Sequence, residues 1–219
     1  MKIENVVKKF DKNDIYLCPK CAVEAKIEGI SLICVDNHRY DFSKKGHIHL
    51  INNYKPTKYS EELFEARSVI FNNGFYKKVL KVLESLIEKY AQNRVLDIGC
   101  GEGYYIRKLK EKFPDKYFYG LDNSKDAIEL AVKEDKKNPY MIANLSNLPF
   151  RDNSVSCILN ILTPANYTEF FRVLGKDGYL IKVIPNAEYL KEIRAITAAK
   201  EYKNDDTISL IEENCEVVE

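Results

Sequence analysis

Four side chains near the start of the chain have the types and spacing of a metal site. Cys18-Pro-Lys-Cys21 is followed, after the twelve residues AVEAKIEGISLI, by Cys34-Val-Asp-Asn-His38. Three thiolates and one imidazole complete a tetrahedral structural zinc centre, and four protein ligands leave no open position for catalysis. The rival is a thioredoxin-like dithiol, which needs a Cys-x-x-Cys pair opening a helix after a strand. Pro19 stands between the cysteines, no such unit surrounds them, and a redox role does not explain Cys34 and His38. The segment between the pairs reads as a hairpin turning near Glu28-Gly29, so two metal-binding knuckles come to one end of a β-ribbon. It lacks a recognition-helix pattern, which separates it from DNA-reading fingers. His47 and His49 alternate on one face of a strand. Extra ligation or RNA contact by them is weighed against the simpler expectation of exposed polar positions on an edge strand.

A second constellation is VLDIGCGEGYY at 95–105. Val95, Leu96 and Ile98 form a buried strand with Asp97 near its end. Gly99, Gly101 and Gly103 permit a tight turn and close backbone approach before a helix. Asp122 ends the next apolar run. A dinucleotide fold uses similar glycines, but at G-x-G-x-x-G spacing and with a pyrophosphate at the helix N-terminus. Asp97 and Glu102 would repel that anion. S-adenosylmethionine (SAM) carries no phosphate; its sulfonium and amino-acid end suit nearby carboxylates, and Asp122 is placed for the ribose hydroxyls. SAM is therefore favoured over NAD. In ANLSNLPF, Asn144 and Leu145 are candidates for the adenine edge. In NILTPAN, Asn160, Thr163 and Pro164 lie where a doubly wound sheet gathers its reacting groups.

Strand-like runs RVLDIG, YFYGLD, YMIANL, VSCILNIL and GYLIKVIP alternate with helical stretches from residue 94 onward. That alternation predicts an α/β fold with a parallel sheet covered on both faces. Upstream, Ser60 is a candidate helix cap before Glu61 and Glu62. Asn72-Asn73-Gly74 breaks that helix, and Phe75, Val79, Leu80, Leu83, Leu86 and Ile87 recur at helical spacing in the next. Three segments follow: a ribbon at 1–50, a helical connector at 51–92 and a cofactor-binding domain at 93–219.

With 219 residues, 31% of them charged and a net charge of +1, the chain shows no global polycation signal for nucleic acid. No apolar run is long enough to span a bilayer, and the first residues lack the apolar core of a signal peptide. The expectation is a cytoplasmic protein without a membrane partner. Six cysteines, three of them scattered, do not form a secreted disulfide framework.

Ribbon, connector and glycine-turn fold, in that order, resemble the bacterial 23S rRNA (guanine-N1)-methyltransferases, including the branch linked to tylosin resistance. The resemblance runs from about residue 15 to about residue 195. It is carried by Cys18, Cys21, Cys34 and His38, and by YDFSKKGHIHL, EARSVIFNNGFY, VLDIGCGEGYY, GLDNSKDAI, NLPF and RVLGKDGYL. It implies a Rossmann-like SAM-dependent methyltransferase fold with a small N-terminal zinc ribbon. It also implies methylation of guanine N1 in a hairpin loop of 23S rRNA, one structural zinc, and cofactor contacts at Tyr76, Glu102 and Gly103. A homodimer is compatible with it. Three departures stand out. Leu162 replaces an aromatic residue before Thr163-Pro164. Tyr189 replaces a His that would otherwise contact the cofactor. The family finishes an antiparallel hairpin at the sheet edge, of which TISLIEENCEVVE reads as only one strand, a truncated edge.

Basic and aromatic residues interleave around the ribbon: Lys20, Lys26, Arg39, Lys44, Lys45, Lys55 and Lys58 with Tyr40, Phe42, Tyr54 and Tyr59. Such interleaving suits single-stranded RNA. The competing expectations are a small-molecule methyltransferase of the same fold and a noncatalytic RNA-binding relative.

Overall fold

The computed structural model describes residues 2–10, 14–57, 59–197 and 204–218. A short helix α1 (Ile3–Val7) precedes four antiparallel strands: β1 (Tyr16–Leu17), β2 (Glu24–Glu28), β3 (Ser31–Cys34) and β4 (Arg39–Asp41). The expected hairpin is present: β2 and β3 pair from Ala25↔Cys34 to Glu28↔Ser31, and Gly29 takes the left-handed φ of +59° that the turn requires.

The chain then enters a second sheet. Strand β5 (His47–His49) is followed by the connector helices α2 (Glu61–Asn72) and α3 (Lys77–Tyr90). Strand–helix alternation follows: β6 (Arg94–Ile98), α4 (Tyr104–Lys112), β7 (Tyr117–Asp122), α5 (Lys125–Glu134), β8 (Tyr140–Ile142), β9 (Val155–Ile161), α6 (Tyr167–Val173), β10 (Leu174–Val183), α7 (Lys191–Ile196) and α8 (Asp205–Asn214). The six strands lie in the order β10-β9-β6-β7-β8-β5, all parallel. Ser124 caps α5 as expected, accepting from the Ala127 N–H at 3.3 Å.

Side chains alternate across this sheet with the period of two that strands impose. Val95, Phe118, Tyr140, Ile142 and Leu159 pack with Leu83, Ile87, Ile106, Leu109 and Ile128 of α3, α4 and α5. Leu96, Ile98, Tyr119, Leu121, Met141 and Ile158 face the other way. The connection from β8 to β9, residues 143–154, contains no helix. The ribbon and α1 cover that side instead, through Val6, Phe10, Leu32 and Phe42, with Phe170 of α6 beside them. The ribbon is also tied to the 147–151 segment: Tyr16 bridges Phe150, Arg151 N–H donates to Ile15 O (2.8 Å), and Asn147 Nδ2 donates to Pro19 O (2.7 Å).

Several expectations are corrected here. Residues 47–49 lie within the 1–50 segment yet form an edge strand of the large sheet, paired with β8. His47 is buried there, not exposed; burial pushes its pKa down to about 4, which keeps it neutral. Neither His47 nor His49 joins the Cys/His cluster. Ser60 precedes α2, but its hydroxyl donates to Glu62 Oε2 (2.9 Å) and caps no backbone N–H. The segment read as a C-terminal strand is the helix α8. Asp205 and Asp206 occupy its first turn, where the helix dipole favours acids. As a helix the segment satisfies its backbone groups internally and leaves the outer edge of β10 uncovered by it. Strand β10 pairs only with β9 among the described residues. No helix among the described residues is long and apolar enough to cross a membrane.

Candidate functional site

Two centres are built, and the sheet joins them. At the ribbon, Cys18, Cys21, Cys34 and His38 bring their ligand atoms within 4.8 Å of one another. His38 Nδ1 lies 3.5 Å from Cys18 Sγ, 3.3 Å from Cys21 Sγ and 3.5 Å from Cys34 Sγ; Cys21 Sγ lies 3.7 Å from Cys34 Sγ. A zinc ion with thiolates at about 2.3 Å and a nitrogen at about 2.0 Å has tetrahedral edges of about 3.8 Å (S···S) and about 3.5 Å (S···N). The four residues thus fit zinc. Tight turns set the knuckles: Ala22 N–H donates to Cys18 O (2.8 Å) and Asn37 N–H to Cys34 O (2.9 Å). Ala22 and Asn37 both adopt positive φ, a conformation that Asn tolerates better than Ala.

The second centre lies at the C-terminal ends of β6, β7, β9 and β10. Gly103 opens α4 at φ +74°, and a Cβ there would meet Tyr140 Oη at 2.5 Å. Glycine is therefore required for conformation and for space. Asp122 braces the turn: Oδ2 accepts from Gly101 N–H (2.9 Å) and Oδ1 from Ser124 N–H (2.8 Å). Asp97 and Glu102 are 2% and 1% exposed. Both Asp97 oxygens, Glu102 Oε1 and Tyr105 Oη have no hydrogen-bond partner. Asp97, Gly99, Glu102 and Tyr105 line one cavity together with Arg67, Phe71 and Leu162. Burial first, then the neighbouring Asp122 and Glu102, push the Asp97 pKa up to about 8. Burial likewise raises Glu102 and Asp122.

An apolar core leaves buried carboxylates unpartnered only at a cost. A cationic ligand would satisfy them, whereas a phosphate would be repelled. The donor set therefore fits SAM and disfavours a dinucleotide.

A second cavity of about 190 Å³ adjoins the first and shares Tyr105, Ile161 and Leu162 with it. Its far wall holds Tyr76 and Tyr189, whose hydroxyls lie 2.5 Å apart. Tyr189 thus meets Tyr76 across the sheet end, and Leu162, in a left-handed turn at φ +56°, separates the two cavities. Asn160 is fully buried: its Nδ2 donates to Pro164 O (3.1 Å) and its Oδ1 accepts from Lys182 Nζ (2.5 Å). It shapes the turn bearing Thr163 and Pro164, and its amide is spent on that. Asn144 is exposed and Leu145 packs toward the ribbon side; neither lines either cavity. Arg67, Tyr105 and Lys182 were not singled out from sequence. Tyr105 lies two residues after the last glycine of the turn and carries a local signal; Arg67 and Lys182 reach the site only through tertiary packing.

The ribbon's charges are partly spent. Lys26 pairs with Asp14 and Glu24, Arg39 with Asp41, and Lys45 with Glu129. Phe42 is core, and Tyr54 Oη accepts from Lys125 N–H. Lys20, Lys44 and Lys55 remain exposed; Lys58 lies outside the described residues.

A family model described as a methyltransferase domain matches residues 95–178. The chain is 36% identical over 191 residues to a Bacillus subtilis (strain 168) protein named "Putative 23S rRNA (guanine-N(1)-)-methyltransferase YxjB", covering 82% of this chain and 67% of that one. It is 28% identical over 184 residues to the 23S rRNA (guanine(748)-N(1))-methyltransferase of Streptomyces fradiae, covering 80% of this chain and 65% of the relative. Among solved structures, the phosphoethanolamine N-methyltransferase 2 of Haemonchus contortus, in complex with S-adenosyl-L-methionine, superposes with a TM-score of 0.54 at 20% identity, over 72% of this chain and 41% of that one. That likeness shows the fold. A metal-fitting ribbon, the acidic glycine turn and the first of these relatives lead to one conclusion: the chain belongs to the 23S rRNA (guanine-N1)-methyltransferase family.

Proposed function

We propose that this protein is a SAM-dependent methyltransferase acting on guanine N1 in a hairpin loop of 23S rRNA. The observation that carries the proposal is the acidic pocket of Asp97 and Glu102, unpartnered and buried, on a molecule that also bears a four-ligand metal ribbon. When bound, the cofactor supplies a methyl group already activated by its sulfonium. Asp97 and Glu102 meet its positive charge, while Asp122 and the glycine turn take the ribose side. Thr163 and Pro164, held by Asn160 and Lys182, flank the approach of the acceptor. The protein's work is alignment, and a rigid turn suits it. Guanine N1 carries a proton at neutral pH that must leave. Asp97, Glu102 and Asp122 are committed to cofactor, so water or a backbone carbonyl receives it.

RNA loops present unstacked bases at lower cost than duplexes do. The ribbon and the segments after it offer the docking surface, where Lys20, Lys44 and Lys55 are exposed and, unlike Lys26, Arg39 and Lys45, form no ion pair among the described residues. A small-molecule acceptor would give the exposed cations of the ribbon no role, although the ribbon would still cover the sheet.

Labelled SAM should transfer methyl to unmodified 23S rRNA, with mass mapping locating it on a guanine. Removing the ribbon is a poor test because its side chains belong to the core. Replacing Lys20, Lys44 and Lys55 together by Glu keeps the core intact. That variant should lose at least about tenfold in kcat/KM on rRNA and show a shallower salt dependence, with cofactor affinity unchanged. No methyl transfer to rRNA by a chain of the relatives' full length would refute the assignment.

A further inference from the structure

The cofactor pocket is lined by one cation, Arg67 of α2, and two acidic residues, Asp97 and Glu102, with Asp122 within electrostatic reach. A cavity that had only to accept a sulfonium and an ammonium would gain nothing from a guanidinium in its wall. Arg67 is not there for want of another place. Phe64 anchors α2 against Ala127 and Leu130 of α5, and Phe71 stacks on Tyr104 with ring centroids 4.8 Å apart. The Arg67 guanidinium lies over both anchors, 5.8 Å from the Phe64 centroid and 5.7 Å from that of Phe71. Rings contact the face of a guanidinium and leave its N–H edge available. Among the described residues Arg67 makes no ion pair, although its charge reaches Glu102 and Asp122. The wall beside it holds Asp97 and Glu102, both more than nine-tenths buried with unpartnered oxygens.

A pocket that offers unpartnered acidic groups, which ionise against an incoming cation, beside an unpaired planar cation is complementary to an α-amino-acid zwitterion. We propose that Arg67 binds the α-carboxylate of the cofactor's methionine end while the acidic wall takes its ammonium group. The inference rests on the cofactor reading above and adds a residue and a role to it. A guanidinium holds a carboxylate through two parallel hydrogen bonds, which a lysine cannot reproduce. An RNA phosphate is the other anion an arginine could meet. Asp97 and Glu102 in the same cavity, with Asp122 nearby, disfavour a lone phosphate, so the occupant is one that brings its own positive charge.

The test compares two ligands by isothermal titration. S-adenosylhomocysteine has the amino-acid end; 5′-methylthioadenosine shares the adenosine and sulfur but lacks it. Arg67→Ala should weaken S-adenosylhomocysteine binding by about ten- to a hundredfold and leave 5′-methylthioadenosine within about twofold. Arg67→Lys should fall between Ala and the unaltered chain. Equal losses for both ligands would mean that Arg67 only packs the helix, and would overturn the inference. So would unchanged S-adenosylhomocysteine affinity with weakened rRNA binding, which would mark an RNA contact. Failure of the unaltered chain to bind either ligand would refute the cofactor reading itself, and this inference with it.

Discussion

Chelation of the metal, or Cys34→Ser, should lower the melting temperature of the whole protein by roughly 10 °C or more, in one cooperative transition. Metal analysis should give about one zinc per chain. Structural zinc contributes roughly 10–16 kcal/mol of apparent binding energy in isolated fingers. A folded domain is stable by only about 5–15 kcal/mol in all. An independent ribbon would melt first and leave the sheet standing. Here that outcome is not expected, because Phe10, Leu32 and Phe42 share one cluster with Tyr119, Leu121, Met141 and Phe150. Loss of the ribbon would bare the sheet face that lacks a helix between β8 and β9. Calorimetry with and without chelator decides the matter. An unchanged transition in metal-free protein would sink the assignment, and two separated transitions would show that the shared core does not couple the parts.

Asp97→Asn should push stability and binding in opposite directions. In the folded, cofactor-free protein Asp97 titrates near 8, held there by burial and by Asp122 and Glu102. In the unfolded chain an aspartate titrates near about 4. Between those values the folded state retains a proton that the unfolded state has lost, so stability falls as pH rises from about 4 to about 8. The cost is absent below about 4 and complete above about 8. Asparagine does not ionise, so the variant should melt several degrees higher at pH 7.5, with a flatter pH profile; each kcal/mol corresponds to about 2–4 °C at this size. The same change removes a negative partner for a cationic ligand in a buried site. SAM affinity should fall by about a hundredfold or more, and methyl transfer to rRNA with it. Titration calorimetry in buffers of different ionisation enthalpy adds an independent check. Below pH 8 the unaltered protein should release a proton on binding SAM, and the variant should not. A variant that binds SAM normally would show that Asp97 serves only the turn.

Where local chemistry dominates, the residues spoke clearly. Ser124 was legible as a cap because a serine oxygen reaches a backbone N–H three residues on. Ser60, in the same kind of position, instead turned to Glu62, a choice between two nearby partners that spacing does not rank. His47 and His49 were expected on an edge strand. They form one, but its pairing with β8 and its packing against α5 bury His47, and no property of the HIH triplet reveals that. TISLIEENCEVVE reads, on the family resemblance, as one strand of an edge hairpin, yet residues 205–214 form the helix α8. Their helical state agrees with an acidic first turn, Asp205 and Asp206, and leaves the edge of β10 unpaired on its outer side among the described residues.

The sequence by itself determined the metal ligand set, the glycine turn with its carboxylates, and the parallel α/β order. Each is written in spacings of a few residues, within reach of a single turn, strand or helix. Only the tertiary structure decided that the ribbon takes the place of a missing helical layer, that Asn160 is committed to its own turn, and that Arg67 overhangs the acidic pocket. These depend on contacts between residues tens of positions apart, and such contacts are set by which apolar faces must be covered together. The sheet left one face open after β8, and covering it put the metal ribbon on one side of the sheet while the connector helices and the cofactor pocket took the other.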